Sequence, residues 1–231
     1  MTTRKTTIDA AHDVPSERTN MFELLLDDGQ ELDQAILDGR NYASVLRRLL
    51  LVSVVGMGVF AAIVGLIWPS SGLPGGAGLV PPALWAPLVL IGAFLTAKVV
   101  CLPSFYFYTQ IAGLDAPFRV IVAQSLRVQA RSAVVLLGVA PFYAALALAS
   151  HTDVIGTGNT LAPALIGVAL PFVVGLSGVT SLYRSFRRMV DELPITNPSR
   201  VKFVMGLVLC WSAAFSAVAP VALYRYAEFF I

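Results

Sequence analysis

Six carboxylates stand close together near the N-terminus, and they are the densest group of side chains in the sequence that could bind a partner. They are Glu23, Asp27, Asp28, Glu31, Asp33 and Asp38, with no basic residue between the first and the last. Such a segment suits docking of a basic cytosolic protein, because opposite charges raise the rate of encounter. The alternative is a solvated segment that the anionic membrane surface repels.

A second charged group lies in "YRSFRRMVDELPITNPSRVK", where three arginines occupy neighbouring turns: Arg184, Arg187 and Arg188. One interpretation is that they fix the orientation of the flanking membrane spans. The other is that they bind anionic lipid head groups. A lipid-modifying active site near these arginines is a third possibility, but no nucleophile lies beside a base there.

No set of residues predicts catalysis, a cofactor or a metal ion. His12 and His151 fall on opposite sides of the membrane in the topology derived below. Cys101 and Cys210 lie inside apolar segments, where small apolar packing is their expected role. Neither His-Glu-x-x-His nor Gly-x-Ser-x-Gly occurs. We therefore expect a protein that is not an enzyme and holds neither cofactor nor metal.

Long uncharged segments predict an all-α bundle that crosses the membrane. Of the 231 residues, 57% are hydrophobic and 13% are charged. A span needs about 20 apolar residues, and only helices satisfy their own backbone in lipid. Five segments qualify: 49–68, 84–102, 132–150, 161–182 and 203–224. Residues 1–40 then form a polar, acidic N-terminal segment, and residues 41–231 form the membrane domain.

The basic residues orient these five spans. Of the 16 Lys and Arg residues, all but Arg225 fall on one side of the membrane if there are five spans. Basic residues concentrate in cytoplasmic loops, so the N-terminus is predicted to be cytoplasmic and the C-terminus extracytoplasmic. We expect a multi-pass protein of the bacterial inner membrane that contacts lipid and other membrane proteins or itself, and no nucleic acid.

The segment between the second and third spans is expected to lie at the membrane surface. Lys98 stands four residues before Leu102, near enough to the predicted end of the span to extend its ammonium to the head groups. Pro103 should end that span. The four aromatic residues 105–108 suit an interfacial belt. After them, Arg119, Arg127 and Arg131 should form the polar face of an interfacial amphipathic helix or of a bent entry into the third span.

The last three spans each contain a proline: Pro141, Pro171 and Pro220. In some transporters such prolines mark a substrate site, whereas in other bundles they only bend the helix. A transport path would need polar residues lining a cavity. The candidates in these spans are Ser177, Thr180, Ser181, Ser212 and Ser216.

The stretch "KVVCLPSFYFYTQIAGLDAPFRVIVAQSLR" resembles the region around the second and third spans of the Yip family and its bacterial relatives. The likeness covers about residues 41–224. It implies a polar cytosolic N-terminal segment, five closely set spans and an external C-terminus. The Asp-Leu-Tyr-Gly-Pro-type element of eukaryotic members is absent, and "GLDAPF" stands in its place. A small-GTPase partner is therefore not implied.

Together these features predict a non-enzymatic membrane scaffold or adaptor. Its spans would pack with other membrane proteins through small residues, such as Gly58 with Ala62. Its acidic segment would recruit a cytosolic partner. The alternative is a membrane subunit of a transporter or channel that uses the proline-containing spans three to five.

Reporter fusions test the predicted topology. Fusions after Gly76, Asn159 and Ile231 should report an extracytoplasmic position, because the basic residues hold the loops between them inside. Fusions after Gly39, Asp115 and Asn197 should report a cytoplasmic one. A cytoplasmic C-terminus would contradict the five-span arrangement.

Overall fold

The computed structural model describes Ile36 and residues 42–67, 81–111, 116–151, 161–192 and 199–228. These residues form five long helices. They are α1 (Tyr42–Ile67), α2 (Pro82–Ile111), α3 (Phe118–His151), α4 (Leu161–Glu192) and α5 (Ser199–Glu228). Ile36 is also helical.

The predicted all-α bundle with five spans is confirmed. Each of the five helices is long and apolar enough to cross a membrane, and the described residues include no strand. The protein is therefore a multi-pass integral membrane protein. Most of the helices extend past the predicted spans at the end of the bundle where the arginines lie, which we name the basic end. Helix α2 continues to Ile111 and α3 already begins at Phe118.

The helices are arranged as a closed ring. Helix α1 packs between α3 and α2, α2 packs next on α5, and α5 and α3 both pack on α4. Contacts across the ring, between α1 and α4 or between α2 and α3, are few. A ring of this kind encloses an axial space that side chains from all five helices can reach.

Pro103 does not end the second span, contrary to the prediction. It lies inside α2, whose chain continues for eight further residues to Ile111. Proline withdraws one backbone donor, which leaves the carbonyl of Val99, four residues earlier, without its helical partner. Close by, the carbonyl of Cys101 accepts hydrogen bonds from Ser104 Oγ at 2.9 Å and from Trp211 Nε1 at 3.1 Å. The bond from Trp211 ties α2 to α5 next to the proline.

An aromatic cluster explains this packing. The ring of Phe105 lies 5.4 Å from that of Phe186 and 4.8 Å from that of Trp211, and Phe105 is buried. The predicted aromatic belt is therefore wrong for Phe105, whereas Phe107 and Tyr108 are exposed as expected. Contacts between aromatic side chains at these distances stabilise the fold by more than the burial of their apolar surface alone. They hold α2, α4 and α5 together at the basic end.

Glycine lets α1 approach α3 closely. A Cβ placed on Gly56 would lie 2.9 Å from the Cβ of Ala133 and 3.0 Å from its carbonyl oxygen. Contacts this short cannot be relieved by rotating a side chain. The α1–α3 packing therefore requires a residue without a side chain at this position.

Replacing Gly56 by valine should destabilise the purified protein by about 1–3 kcal/mol, because the two backbones must separate. The measurement is thermal unfolding in mild detergent. Gly138→Val is the matched control, since a Cβ at Gly138 meets no atom within 4 Å. Equal stability of the two variants would contradict the close packing.

Candidate functional site

Helix α3 buries an unusual number of polar side chains in the half nearer the basic end. They occupy more than one face of the helix because α3 contacts α1 and α4 and also faces the ring interior. Burial of a polar group without a hydrogen-bond partner destabilises the folded state, so buried polar side chains usually bind one another or a ligand. The buried residues are Gln124, Ser125, Arg127, Gln129 and Ser132.

Lys98 lies inside the ring. Its side chain is 5% exposed, and its Nζ donates a hydrogen bond to the backbone carbonyl of Ser125. Helices α2 and α3 are not ring neighbours, so this bond spans the interior. The predicted extension of Lys98 to the head groups is therefore wrong. Its position on α2 directs the side chain toward the other helices, together with the buried Phe94 and Cys101 one turn away on either side.

The register of the helices gives the depth of Lys98. Tyr42 Oη donates to the carbonyl of Arg119 across an offset of 77 residues, and Gly56 meets Ala133 at the same offset. Helices α1 and α3 are thus parallel and in constant register, which places Ser125 level with the exposed Arg48. Lys98 therefore lies at the depth of the arginines that precede the first apolar span. It is buried at the basic end of the membrane layer.

Two arginines of α3 connect it to α4. Arg127 Nη1 lies 3.3 Å from Ser185 Oγ and 3.5 Å from Gln124 Oε1, and Arg131 Nη1 lies 3.2 Å from Ser181 Oγ. Arg127 is 3% exposed, so its predicted place on the polar face of an interfacial helix is wrong. Of the three arginines, only Arg119 is exposed, and Arg131 is half-buried. The segment is the first half of a continuous spanning helix rather than a separate surface helix.

A cavity of about 60 Å³ lies within the ring and touches every helix. Met57 borders it from α1, and Pro171 and Gly175 border it from α4. Polar side chains from the other three helices complete its wall: Lys98, Ser125, Gln129, Ser132, Ser212 and Ser216. We name it the central cavity.

A second cavity of about 340 Å³ lies toward the opposite end of the bundle and has a mostly apolar lining. Trp85, Leu223 and Tyr224 are among its lining residues. Phe172 borders both cavities, and its ring lies 5.6 Å from that of Phe94. We name the second space the outer cavity. Phe172, packed on Phe94, thus lies between the two cavities.

The hydroxyl groups suggested by the sequence divide into two sets. Ser212 and Ser216 line the central cavity, and Ser181 binds Arg131. Ser177 and Thr180 are exposed and donate to carbonyls of their own helix. Sequence reasoning missed the contributions of Lys98, Ser125, Gln129 and Ser132. The available signal was the polar run "QSLRVQARS", whose polar residues cover more than one helical face.

The other predicted sites are only partly described. The six carboxylates from Glu23 to Asp38 lie outside the described residues, so partner binding by them stays a prediction. Arg184 and Arg187 are exposed on α4, as lipid binding would require, and the side chain of Arg188 is outside the described part. In the described ranges, no three His, Cys, Asp or Glu residues are close enough to hold a metal ion.

Comparison of the chain with models of protein families, with characterised proteins and with solved structures finds no match. The resemblance to the Yip family therefore stays a prediction, and function must be argued from the cavities themselves.

Maleimide labelling tests the burial of Arg127. In a protein with Cys101→Ala and Cys210→Ala, a cysteine replacing Arg119 should react rapidly, whereas one replacing Arg127 should react at least about tenfold more slowly. A buried thiol reacts only when the bundle opens, and each ~1.4 kcal/mol of opening free energy slows the reaction tenfold. Equal rates would place Arg127 on the surface.

Proposed function

We propose that this protein is a membrane subunit of a transporter or channel that passes a small polar solute along the axis of its helical ring, in a bacterial inner membrane. The central cavity carries this proposal. It places a buried cation and several polar groups on the bundle axis, where a scaffold would need only apolar packing. Ionisable residues facing the interior of a membrane bundle commonly mark solute pathways.

The two cavities support a path because they lie one after the other along the axis of the helical ring. The central cavity lies next to Lys98 near the basic end, and the outer cavity is bordered by residues from the opposite ends of α1 and α2, including Gly65 and Trp85. Phe172 borders both. Its ring packs on Phe94, whose ring lies 6.0 Å from that of Phe215, so movement of this aromatic cluster would bring the two spaces closer to joining.

The bend-forming residues of α4 lie beside Phe172. Pro171 and Gly175 border the central cavity on either side of Phe172 along α4. Proline removes a helical hydrogen bond, and a Cβ at Gly175 would meet no atom within 4 Å. A helix with a missing hydrogen bond and free space beside it can bend locally. Phe172 therefore lies in the part of α4 where the helix can bend.

A scaffold or adaptor is the second candidate, and a groove between α2 and α5 favours it. This groove has a volume of about 570 Å³, and small residues border it along one face of α5: Gly206, Cys210 and Ala214. Small residues at four-residue spacing allow another helix to approach closely. Loss of a co-purifying partner on deletion of residues 1–38, with solute passage unchanged, would favour this function.

Phe172→Ala should increase solute passage, because it removes the bulky side chain that borders both cavities. The measurement is stopped-flow light scattering of proteoliposomes, made from equal parts phosphatidylcholine and phosphatidylglycerol, after a gradient of sodium chloride, sodium formate or glycerol. Phe142→Ala is the control, since Phe142 is 77% exposed and lines neither cavity.

Size-exclusion chromatography establishes that both variants remain folded. Passage that is absent from the wild-type protein and from both folded variants would contradict the transport function.

A further inference from the structure

We propose that the central cavity is a binding site for a small monovalent anion, of the size of a halide, held by the ammonium of Lys98. The inference rests on the proposed function for the role of this site, while the binding itself can be measured without transport. Charge, hydrogen-bonding capacity and volume each point to this class of ligand.

The charge balance favours an anion. Within the five helices, acidic residues occur only near the ends: Asp191, Glu192 and Glu228. Among the described residues, Lys98 therefore has no carboxylate to balance its charge inside the ring. An ammonium buried without a counter-charge is strongly disfavoured, so Lys98 either releases its proton or pairs with an anion from solution. A cationic ligand would be repelled.

The hydrogen-bonding capacity of Lys98 is also incompletely used. An ammonium has three N–H donors, and in the described part of the chain only the Ser125 carbonyl accepts from it. The side chain borders the cavity, which leaves donors available for a ligand there. These donors would bind a halide or another monovalent anion directly.

The remaining polar groups suit the water that accompanies such an anion. Ser212 and Ser216 donate their hydroxyl hydrogens to carbonyls of α5 at 2.8 Å, so each presents an acceptor lone pair. Gln129 Oε1 is buried and has no hydrogen-bond partner in the described residues. Water molecules donate to acceptors of this kind and can hydrate the anion with their second hydrogen.

The volume limits the size of the ligand. A space of about 60 Å³ holds on the order of four to six water-sized species, since each needs roughly 10–15 Å³. One halide with a few waters fits. Sugars, amino acids and phosphate esters do not fit without expansion of the ring, and one lysine balances only one negative charge.

Thermal unfolding of the purified full-length chain in mild detergent tests the proposal. Unfolding temperature is measured against increasing sodium bromide at an ionic strength held constant with sodium gluconate, whose anion is too large for the cavity. A ligand at concentration c that binds only the folded state stabilises it by RT ln(1 + c/Kd), so the unfolding temperature rises with the logarithm of the ligand concentration once that concentration exceeds Kd. Bromide should raise the unfolding temperature of the wild-type protein in this way, and Lys98→Met should shift the rise to at least tenfold higher bromide concentrations.

Arg48→Met is the control, because Arg48 lies at the same depth as Lys98 but is exposed, and its bromide response should match the wild type. In gluconate alone, Lys98→Met should be at least as stable as the wild type, since an uncompensated buried charge has been removed. A bromide effect that is absent from the wild type, or equal in Lys98→Met, would overturn the inference.

Flux measurements separate this inference from the proposed function. Saturable bromide binding without bromide passage into proteoliposomes would support the site and contradict transport. Passage of glycerol without bromide binding would contradict the anion site and leave transport standing. If Lys98→Met does not fold, Ser212→Val supplies the second variant, and it should lower the bromide response because it removes a polar group from the cavity wall.

Discussion

The burial of the Lys98 amine inside five largely apolar helices is the constraint on which the other features of the site depend. A buried amino group, whether charged or neutral, needs hydrogen-bond partners, so its retention needs compensation. The structure supplies part of it through the Ser125 carbonyl and through a polar wall on α3 and α5. The bond from Lys98 also joins two helices that do not otherwise pack extensively, which makes the polar interior part of what closes the ring.

Closure of the ring is achieved differently at its two ends. At the basic end, Phe105, Phe186 and Trp211 form a tight aromatic cluster, and Arg127 and Arg131 bind serines of α4. At the other end, α1, α2, α4 and α5 border a wide apolar cavity. Hydrogen bonds close the ring beside it: Thr96 Oγ1 and Tyr226 Oη join α2 to α5 at 2.8 Å, and Tyr143 Oη donates to the carbonyl of Pro163 on α4 at 2.9 Å.

The spans could be predicted because an uncharged run of about 20 residues has few alternatives to a membrane helix. The site could not, because helical periodicity identifies one apolar face and assigns the remainder to solvent or head groups. Arg127 is polar and yet buried, because neighbouring helices cover α3 on several sides and its polar residues contact those of α4. The predictions for Pro103 and Lys98 were wrong for a related reason. A proline and a lysine at these positions indicate the end of a span, but α2 continues past both and packs on α5. Only the ring shows that a buried lysine and several polar side chains share a mostly apolar interior.

Anomalous diffraction from crystals of the full chain grown in sodium bromide tests most directly whether the interior of the ring is an anion site. The predicted result is a bromide peak in the central cavity, within hydrogen-bonding distance of Lys98 Nζ, that is absent from Lys98→Met crystals. A cavity without bromide, or a Lys98 side chain that points out of the ring toward lipid or solvent, would contradict it.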